Sequence, residues 1–302
     1  MYNYNIEEIL FDLKSDRKKK VILDTDAYNE IDDQFAIAYT VLSEKTLDVL
    51  GITAAPFLNG RCTSPEDGML KSYQEIKKVI ALTNSQKEIP VKRGARNFLV
   101  DEKTYSDSEA VDFIIEKALE SDERIYVMGI GALTNIASAL LKNPAIKDKV
   151  VIVWIGTHAP KTNLVEDFNM QQDFAASRVL FDSEAPVVLL PVLGCISEAS
   201  VYRDELEEEM QNKNKLCDYL YEIMLEYHAD TPKLSSMVIC DVACVAAVGL
   251  KGATSFEIGP SPIVTKDIKM LYDPKRHPIL TAVKFDEKLM YKDLFEKLHS
   301  AK

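Results

Sequence analysis

Short apolar segments alternate with longer amphipathic ones along most of the 302 residues. The short segments are bounded by polar or turn residues, which is typical of strands buried on both faces. They predict strands at residues 20–23, 49–53, 89–91, 125–129, 150–155 and 186–191. Apolar residues three or four positions apart predict helices at residues 31–42, 67–82, 109–119, 134–141, 173–181 and 216–227. This alternation favours an α/β, Rossmann-like fold in which helices flank a mainly parallel sheet.

No segment rich in proline, glycine or serine interrupts this pattern, so we expect a single domain over residues 1–302. Residues 203–233 are strongly charged and have a helical pattern. They predict a helical segment that could serve as a mobile flap or as a subunit contact.

Composition excludes several classes of protein. The chain has 48 acidic and 36 basic residues and a formal charge of -12, which disfavours a surface that binds nucleic acid. Its four histidines are at least 22 positions apart, so neither a zinc finger nor an HExxH site is present. Five cysteines without a CxxC pair indicate reduced thiols. No apolar run approaches the ~18 residues of a membrane span, and the N-terminal segment lacks the apolar core of a signal peptide. We therefore expect a cytoplasmic protein without a membrane or nucleic-acid partner.

A group of acids follows the first predicted strand. Asp24 and Asp26 close that strand and, with a period of two, point to the same side. Asp32 and Asp33 open the next helix, where carboxylates are favoured. Ligands of such sheets bind beyond the carboxyl ends of the strands. These four residues and Glu30 are therefore expected to converge on a binding site.

So many like charges need a positive partner, and ligands that are all oxygen indicate Ca²⁺ or Mg²⁺. The alternative is that Asp32 and Asp33 only cap a helix beside a solvated loop. Two other segments are predicted at the same edge of the sheet. Residues 127–140 form a strand, a tight glycine turn and a helix, and in residues 237–248 Asp241 heads an apolar helix. A helix cap is the alternative role of Asp241.

With these segments the chain resembles the inosine–uridine-preferring nucleoside hydrolase family. The resemblance rests on motifs that occur in the family's order between about residue 20 and residue 248. They are LDTD with the following DD, VLGIT with Asn59 downstream, IPVKRGA, SEAVDFIIEKA, GIGALTNIASAL, EDFNMQQDFAAS and ICDVACVAA. The C-terminal FDEKLMYKDLFEKL also resembles the last strand and helix of the family.

The resemblance implies a calcium site. Asp26 would be a ligand and also the base that deprotonates the attacking water, and Asp33 would be a bidentate ligand. Asp241 and the main-chain carbonyl of Ile130 would complete the protein ligands. With water and two sugar hydroxyls this makes about eight oxygens, more than Mg²⁺ accepts, so Ca²⁺ is favoured.

The resemblance also implies the sugar contacts. Asp32 would bind ribose hydroxyls, and Asn59 and Asn163 would flank the sugar. Asp167 and Asn169 would bind its outer hydroxyls.

This chain departs from the usual family pattern at three places. Cys240 occupies the position of a histidine in the purine- and pyrimidine-processing members, as in a Cys-bearing subgroup, and a neutral thiol is a poor proton donor. Tyr227, His228 and, less directly, His158 are the other candidates on the leaving-group side. The loop AYNEI has two additional residues between Asp26 and Asp32. Where the family usually has Glu, this chain has Asp167, with Glu166 adjacent.

The sequence therefore predicts a calcium-dependent enzyme that hydrolyses the N-glycosidic bond of ribonucleosides to ribose and a free base, as in purine and pyrimidine salvage. Two alternatives stay open. One is a non-catalytic homologue that binds calcium and ribose, and the other is a Mg²⁺-dependent phosphatase of the DxD type. The second fits less well because Ala27 and Tyr28 follow Asp26. The resemblance also leads us to expect a homodimer or homotetramer.

Overall fold

The computed structural model describes residues 2–162, 164–198, 200–229 and 236–301. Its strands are β1 Lys19–Thr25, β2 Leu47–Ala54, β3 Val91–Arg93, β4 Ile125–Gly129, β5 Val150–Ile155, β6 Val187–Leu190, β7 Val201–Tyr202, β8 Ser236–Met237, β9 Thr254–Pro260, β10 Ile263–Val264, β11 Met270–Leu271 and β12 Pro278–Phe285. Its α-helices are α1 Ile6–Leu13, α2 Asp32–Leu42, α3 Pro65–Thr83, α4 Glu109–Glu120, α5 Thr134–Lys142, α6 Phe168–Gln172, α7 Phe174–Asp182, α8 Arg203–Met210, α9 Lys215–Tyr227, α10 Val242–Gly249 and α11 Glu287–His299.

A central sheet carries the fold. Within the described residues it has eight strands in the order β3-β2-β1-β4-β5-β6-β12-β9. All neighbouring pairs are parallel except β12 and β9, which are antiparallel at one edge. The predicted mainly parallel α/β fold is confirmed.

Helices cover both faces of this sheet because side chains alternate along each strand. In β1, Val21 and Leu23 pack in one apolar cluster with residues of α2 and α10. Ile22, between them, packs in the other cluster with residues of α4 and α5. The sheet is therefore buried on both sides, and the open part of the molecule is at the strand ends.

Most predicted elements are observed with small shifts of their ends, and β3 shows why. The prediction placed this strand at residues 89–91, but it runs over Val91–Arg93. Pro90 has no N–H to donate and only accepts a hydrogen bond, from the backbone N–H of Ile52 at 2.9 Å. The strand therefore begins after the proline.

The C-terminal part was predicted only in outline. The last strand and helix inferred from FDEKLMYKDLFEKL are observed as β12 and α11. The antiparallel edge strand β9 and the N-terminal helix α1 were not predicted.

The charged segment 203–233 contains helices α8 and α9, as its pattern predicted. Residues 230–235 lie outside the described residues, and the role of the segment as a flap stays a prediction. In the described parts of the chain, no helix is both long enough and apolar enough to cross a membrane.

Candidate active site

Four buried aspartates meet at the carboxyl edge of the sheet. Asp26 follows β1, Asp32 and Asp33 begin α2, and Asp241 immediately precedes α10. Oxygens of Asp32, Asp33 and Asp241 lie within 4.8 Å of one another. Their relative exposures are 7 %, 2 % and 5 %, and that of Asp26 is 1 %. These four residues are called the acid cluster below.

The cluster is held together by few hydrogen bonds. Thr25 Oγ1 donates to Asp33 Oδ1. The backbone N–H of Asp241 donates to Asp32 Oδ2 at 3.4 Å, so the start of α10 faces the start of α2. Free amides at a helix N-terminus favour a carboxylate there.

Asp241 stands at the cap position of α10 but makes no side-chain capping hydrogen bond. Its carboxyl group instead lies beside those of Asp32 and Asp33, with an oxygen of each within 4.8 Å of the others. The alternative role of Asp241 as a helix cap therefore has no support in this geometry.

All four acids are hard to ionise in the absence of a cation. Burial raises the pKa of Asp26, Asp33 and Asp241 well above its usual value, and the charges of neighbouring acids raise it further. Burial, together with the charge of Glu30, raises the pKa of Asp32 to about 7. An anionic cluster at neutral pH therefore requires a positive partner.

Asp26 provides the most direct indication of that partner. Both of its carboxylate oxygens are buried and have no hydrogen-bond partner among the described residues. The turn at Gly131 lies directly behind it, since a Cβ at position 131 would be 2.5 Å from Asp26 Oδ1. A buried carboxylate without donors is costly unless it is paired with a charge or coordinates a metal. These residues therefore fit a hard divalent cation bound by oxygen ligands.

Two further predicted site residues lie next to the cluster. Ile130 follows β4, and its carbonyl oxygen accepts a hydrogen bond from Asn169 Nδ2 at 3.1 Å. The same nitrogen donates to the carbonyl oxygen of Ile155 at 3.0 Å, at the end of β5. A carbonyl oxygen has two lone pairs, so this bond leaves Ile130 able to bind a cation as well.

Asp24 differs from the expectation that it joins the cluster. Its Oδ1 accepts hydrogen bonds from Thr53 Oγ1 at 2.5 Å and Asn135 Nδ2 at 2.8 Å. Burial raises the pKa of Asp24 and the two hydrogen bonds oppose this rise, and the resulting pKa is about 6. Strand β1 extends beyond Asp24 to Thr25. The side chain therefore links β1, β2 and α5 and has a structural role.

Asp167 caps helix α6. Its Oδ1 accepts hydrogen bonds from the backbone N–H groups of Thr157 at 2.8 Å and Met170 at 3.1 Å. The neighbouring Glu166 is exposed. Of the two acids, Asp167 is thus the one anchored at the end of β5.

The ring of His158 hydrogen-bonds backbone groups near Asp167. Its Nδ1 accepts a hydrogen bond from the backbone N–H of Leu193 at 3.2 Å. Its Nε2 lies 3.1 Å from the carbonyl oxygen of Glu166 and donates to it. Both ring nitrogens hydrogen-bond backbone groups, so neither is available to act on a leaving group.

Asn59 links the loops that follow β1 and β2. Its Nδ2 donates to Asn29 Oδ1 at 2.6 Å, and its Oδ1 accepts from the backbone N–H of Arg61 at 2.9 Å. Asn163, the other residue predicted to flank the sugar, lies outside the described residues.

Cys240, Tyr227 and His228, the other candidates on the leaving-group side, have different surroundings in the structure. Burial and the charge of Asp32 raise the pKa of the Cys240 thiol, which is partly exposed beside the cluster. Burial and the charges of Glu30 and Asp32 raise the pKa of the Tyr227 hydroxyl. Burial lowers the pKa of His228, and the charge of Arg203 lowers it further. Cys240 and Tyr227 therefore lie beside the acids, and Cys240 is a weak proton donor.

Sequence reasoning missed Tyr28, Arg61 and the close contact of Gly131 with Asp26. The Arg61 guanidinium carbon lies 4.4 Å from the centre of the Tyr28 ring and 5.8 Å from that of Tyr227. Tyr28 lies in the lengthened loop before Asp32, and the unusual length of this loop was the sequence feature that could have identified it. No local pattern identifies Arg61, because the partners of its guanidinium come from distant segments.

Comparison with known proteins agrees with this geometry. The family model described as inosine-uridine preferring nucleoside hydrolase matches residues 21–271. A probable uridine nucleosidase 2 of Arabidopsis thaliana is 24 % identical over 291 residues, which cover 85 % of this chain and 86 % of the relative. A pyrimidine-specific ribonucleoside hydrolase, RihA, of Escherichia coli is 26 % identical over 238 residues, covering 70 % and 72 %.

A solved structure supports the fold. The purine-preferring ribonucleoside hydrolase from Gardnerella vaginalis superposes with a TM-score of 0.75 at 20 % identity. The match covers 94 % of this chain and 99 % of that one. Together with the family model, which spans well over half of the sequence, this confirms the resemblance. The chain belongs to the inosine-uridine preferring nucleoside hydrolase family, whose members are N-glycosidases.

Proposed function

We propose that this protein hydrolyses the N-glycosidic bond of ribonucleosides with the help of a bound Ca²⁺, releasing ribose and a free base. The observation that carries the proposal is the buried carboxylate of Asp26, which has no hydrogen-bond partner among the described residues. It lies in the acid cluster at the carboxyl edge of the sheet, where ligands of such folds bind.

Asp26, Asp33, Asp241 and the carbonyl oxygen of Ile130 would hold the cation. Their donor atoms are all oxygen, which suits Ca²⁺ or Mg²⁺ better than a transition metal. Sugar hydroxyls and water would raise the number of ligands above six, and this favours Ca²⁺. When bound, the ion would orient the sugar diol and lower the pKa of a water molecule.

The side chains account for the remaining chemistry. Asp26 would take the proton of the attacking water, and its carboxylate is available for this because neither oxygen has a hydrogen-bond partner among the described residues. Asp32 would accept hydrogen bonds from ribose hydroxyls. The negative charge of the cluster would stabilise the oxocarbenium-like sugar that forms as the bond to the base breaks.

The outer sugar contacts would come from the loops around the cluster. Asn59 and Asn163 would flank the ribose, and Asp167 and Asn169 would bind its outer hydroxyls. The capping bonds of Asp167 and the backbone bonds of Asn169 support this because they fix both side chains at the end of β5.

The relatives do not share one base preference. One is named for uridine, one for pyrimidines and one for purines. We therefore propose ribonucleosides as the substrate class and a role in purine and pyrimidine salvage.

The direct test is release of ribose from uridine, cytidine, inosine and adenosine, with metal analysis of the purified protein. We expect ribose release that EGTA abolishes and Ca²⁺ restores. In Asp26→Asn, kcat should fall by roughly 10²–10⁴-fold with the fold preserved. Asp122→Asn is the matched control, because Asp122 is exposed and outside the cluster.

Unchanged ribose release in Asp26→Asn would refute the assigned role of this carboxylate. Hydrolysis of phosphate esters with Mg²⁺, without ribose release, would favour the phosphatase. Ribose binding in calorimetry without base release from any nucleoside would favour the non-catalytic homologue.

We also propose that the protein is cytoplasmic and forms a homodimer or homotetramer. The odd number of cysteines, five, and the lack of a CxxC pair support a reducing compartment. Light scattering of the purified protein measures the number of subunits, and a monomer would contradict this assignment.

A further inference from the structure

The leaving-group side of the site has no histidine at position 240, so another group must receive the departing base. Four side chains outside the acid cluster come from the loops after β1 and β2 and from the end of α9: Tyr28, Glu30, Arg61 and Tyr227. They are called the roof below. They are more exposed than the acids beneath them, and Glu30 and Asp32 both act electrostatically on Tyr227. A nucleoside whose sugar contacts the acids would therefore extend its base towards the roof.

Arg61 is the cation of this roof. Its guanidinium lies over the Tyr28 ring at 4.4 Å and near the Tyr227 ring at 5.8 Å. Its Nη1 donates to the carbonyl oxygen of Glu30 at 3.2 Å. A guanidinium has five donors, so this contact leaves donors for a ligand.

The backbone of Arg61 is also fixed. Its N–H donates to Asn59 Oδ1 at 2.9 Å. Its carbonyl oxygen accepts from Lys71 Nζ at 2.8 Å, and Lys71 pairs with Asp67 at 3.0 Å. The guanidinium is therefore positioned before any substrate arrives, which is the condition under which a charge stabilises a transition state efficiently.

We propose that Arg61 is the leaving-group residue of this site: its guanidinium stabilises the negative charge that develops on the base as the N-glycosidic bond breaks. This rests on the proposed nucleoside hydrolysis. The assignment of Arg61 adds to that function the leaving-group role, which falls to a residue of the loop after β2. Contacts with the lengthened loop after β1 hold this residue in place.

The bond changes balance without a protein acid on this side. The C1′–N bond breaks, and its electron pair stays on the base. The water oxygen bonds C1′ and gives its proton to Asp26. The base leaves as an anion paired with Arg61 and then takes a proton from solvent, because a guanidinium does not release its own proton at physiological pH.

This assignment predicts how the effect of Arg61 depends on the leaving group. A nucleobase such as uracil leaves poorly and needs charge stabilisation, whereas 4-nitrophenolate is already a stable anion. The test compares kcat and KM for uridine and for 4-nitrophenyl β-D-ribofuranoside in the calcium-loaded protein. The variants are Arg61→Gln and Arg61→Lys, and thermal unfolding is measured for each.

We expect Arg61→Gln to lower kcat for uridine on the order of 10²-fold, with a change of less than about 3-fold for the nitrophenyl riboside. Arg61→Lys retains the charge and should recover part of the uridine rate. Arg93→Gln is the matched control, because Arg93 also stacks on a tyrosine, Tyr73 at 4.9 Å. It should change neither substrate.

Three outcomes separate the possibilities. If both substrates lose the same factor in Arg61→Gln and in Arg61→Lys, Arg61 only supports the loops and the proposal is wrong. The same holds if neither substrate changes. If the unmodified protein releases ribose from neither substrate, the proposed function itself has failed, and this proposal fails with it.

Discussion

At the scale of single residues, the site depends on carboxylates placed where they cannot easily ionise. Asp26 is the extreme case, with both oxygens buried and no hydrogen-bond donor among the described residues. Gly131 allows this placement because only a residue without a Cβ fits behind the carboxylate. The placement of Asp26 after β1 therefore depends on a glycine in the turn after β4.

Gly131→Ala tests that close contact. The new Cβ would be 2.5 Å from Asp26 Oδ1 and 2.7 Å from its Cγ, so the carboxylate must move. We expect calcium affinity or kcat/KM to fall by roughly 10–100-fold, as for other changes that displace a metal ligand. Isothermal titration and a ribose-release assay measure both.

Gly259→Ala is the control, because a Cβ there meets no atom within 4 Å. It should leave both calcium affinity and kcat/KM unchanged. A Gly131→Ala protein with normal affinity and rate would show that Asp26 tolerates displacement.

At the scale of elements, helix α9 connects the charged segment to the body of the protein. Tyr219 in α9 donates to the Glu75 carboxylate in α3, and Gln34 Nε2 in α2 donates to the same oxygen at 3.4 Å. Eight positions further along α9, burial raises the pKa of the Tyr227 hydroxyl, and Tyr227 lies close enough to Glu30 for that carboxylate to raise this pKa further. The contact between Tyr219 and Glu75 thus holds α9 against α3.

Tyr219→Phe tests the contact away from the site. The change leaves the buried Glu75 carboxylate without its phenol donor, which should cost about 1–2 kcal/mol of unfolding free energy. Hydrogen exchange of the α9 amides should become faster, while exchange in β4 and β5 stays slow. Tyr202→Phe is the control, since Tyr202 is 64 % exposed. Unchanged protection of α9 would show that Tyr219 does not tether the helix.

At the scale of the whole molecule, the net charge of -12 and the buried acids oppose folding in the absence of a cation. Burial raises the pKa of these acids above that of the unfolded chain, so they favour the folded state at low pH. Their contribution is lost as the pH rises above about 4 and through the pKa of about 7 of Asp32. A bound cation reverses this penalty by neutralising the ionised cluster.

Removal of metal should therefore destabilise the protein more at high pH than at low pH. We expect the difference in melting temperature between Ca²⁺ and EGTA to grow from pH 5.5 to pH 8. In EGTA at pH 8, Asp33→Asn should be more stable than the unmodified protein by roughly 1–3 kcal/mol, because it removes one buried charge. It should also respond less to Ca²⁺. Thermal and urea unfolding measure both effects, and a difference that shrinks with pH would contradict this account.

The sequence predicts the parts of the site that are local in the chain. Asp26, Asp32 and Asp33 fall within eight positions of one another, so the strand and helix that position them are visible in the pattern of apolar residues. Asp24 shows the limit of such local prediction, because its residue type and its spacing from Asp26 are those of a site residue. Thr53 and Asn135, from other segments, give it a structural role instead.

The alternation of strands and helices and the acids at the first strand end follow from the sequence alone, because apolar periodicity and helix-start preferences act within one segment. Which distant residues meet there depends on the tertiary structure. Asp241 contacts Asp32 across 209 positions of the chain, and Arg61 meets Tyr227 from another loop. Such contacts depend on how whole elements pack against the sheet, and no local pattern encodes that packing.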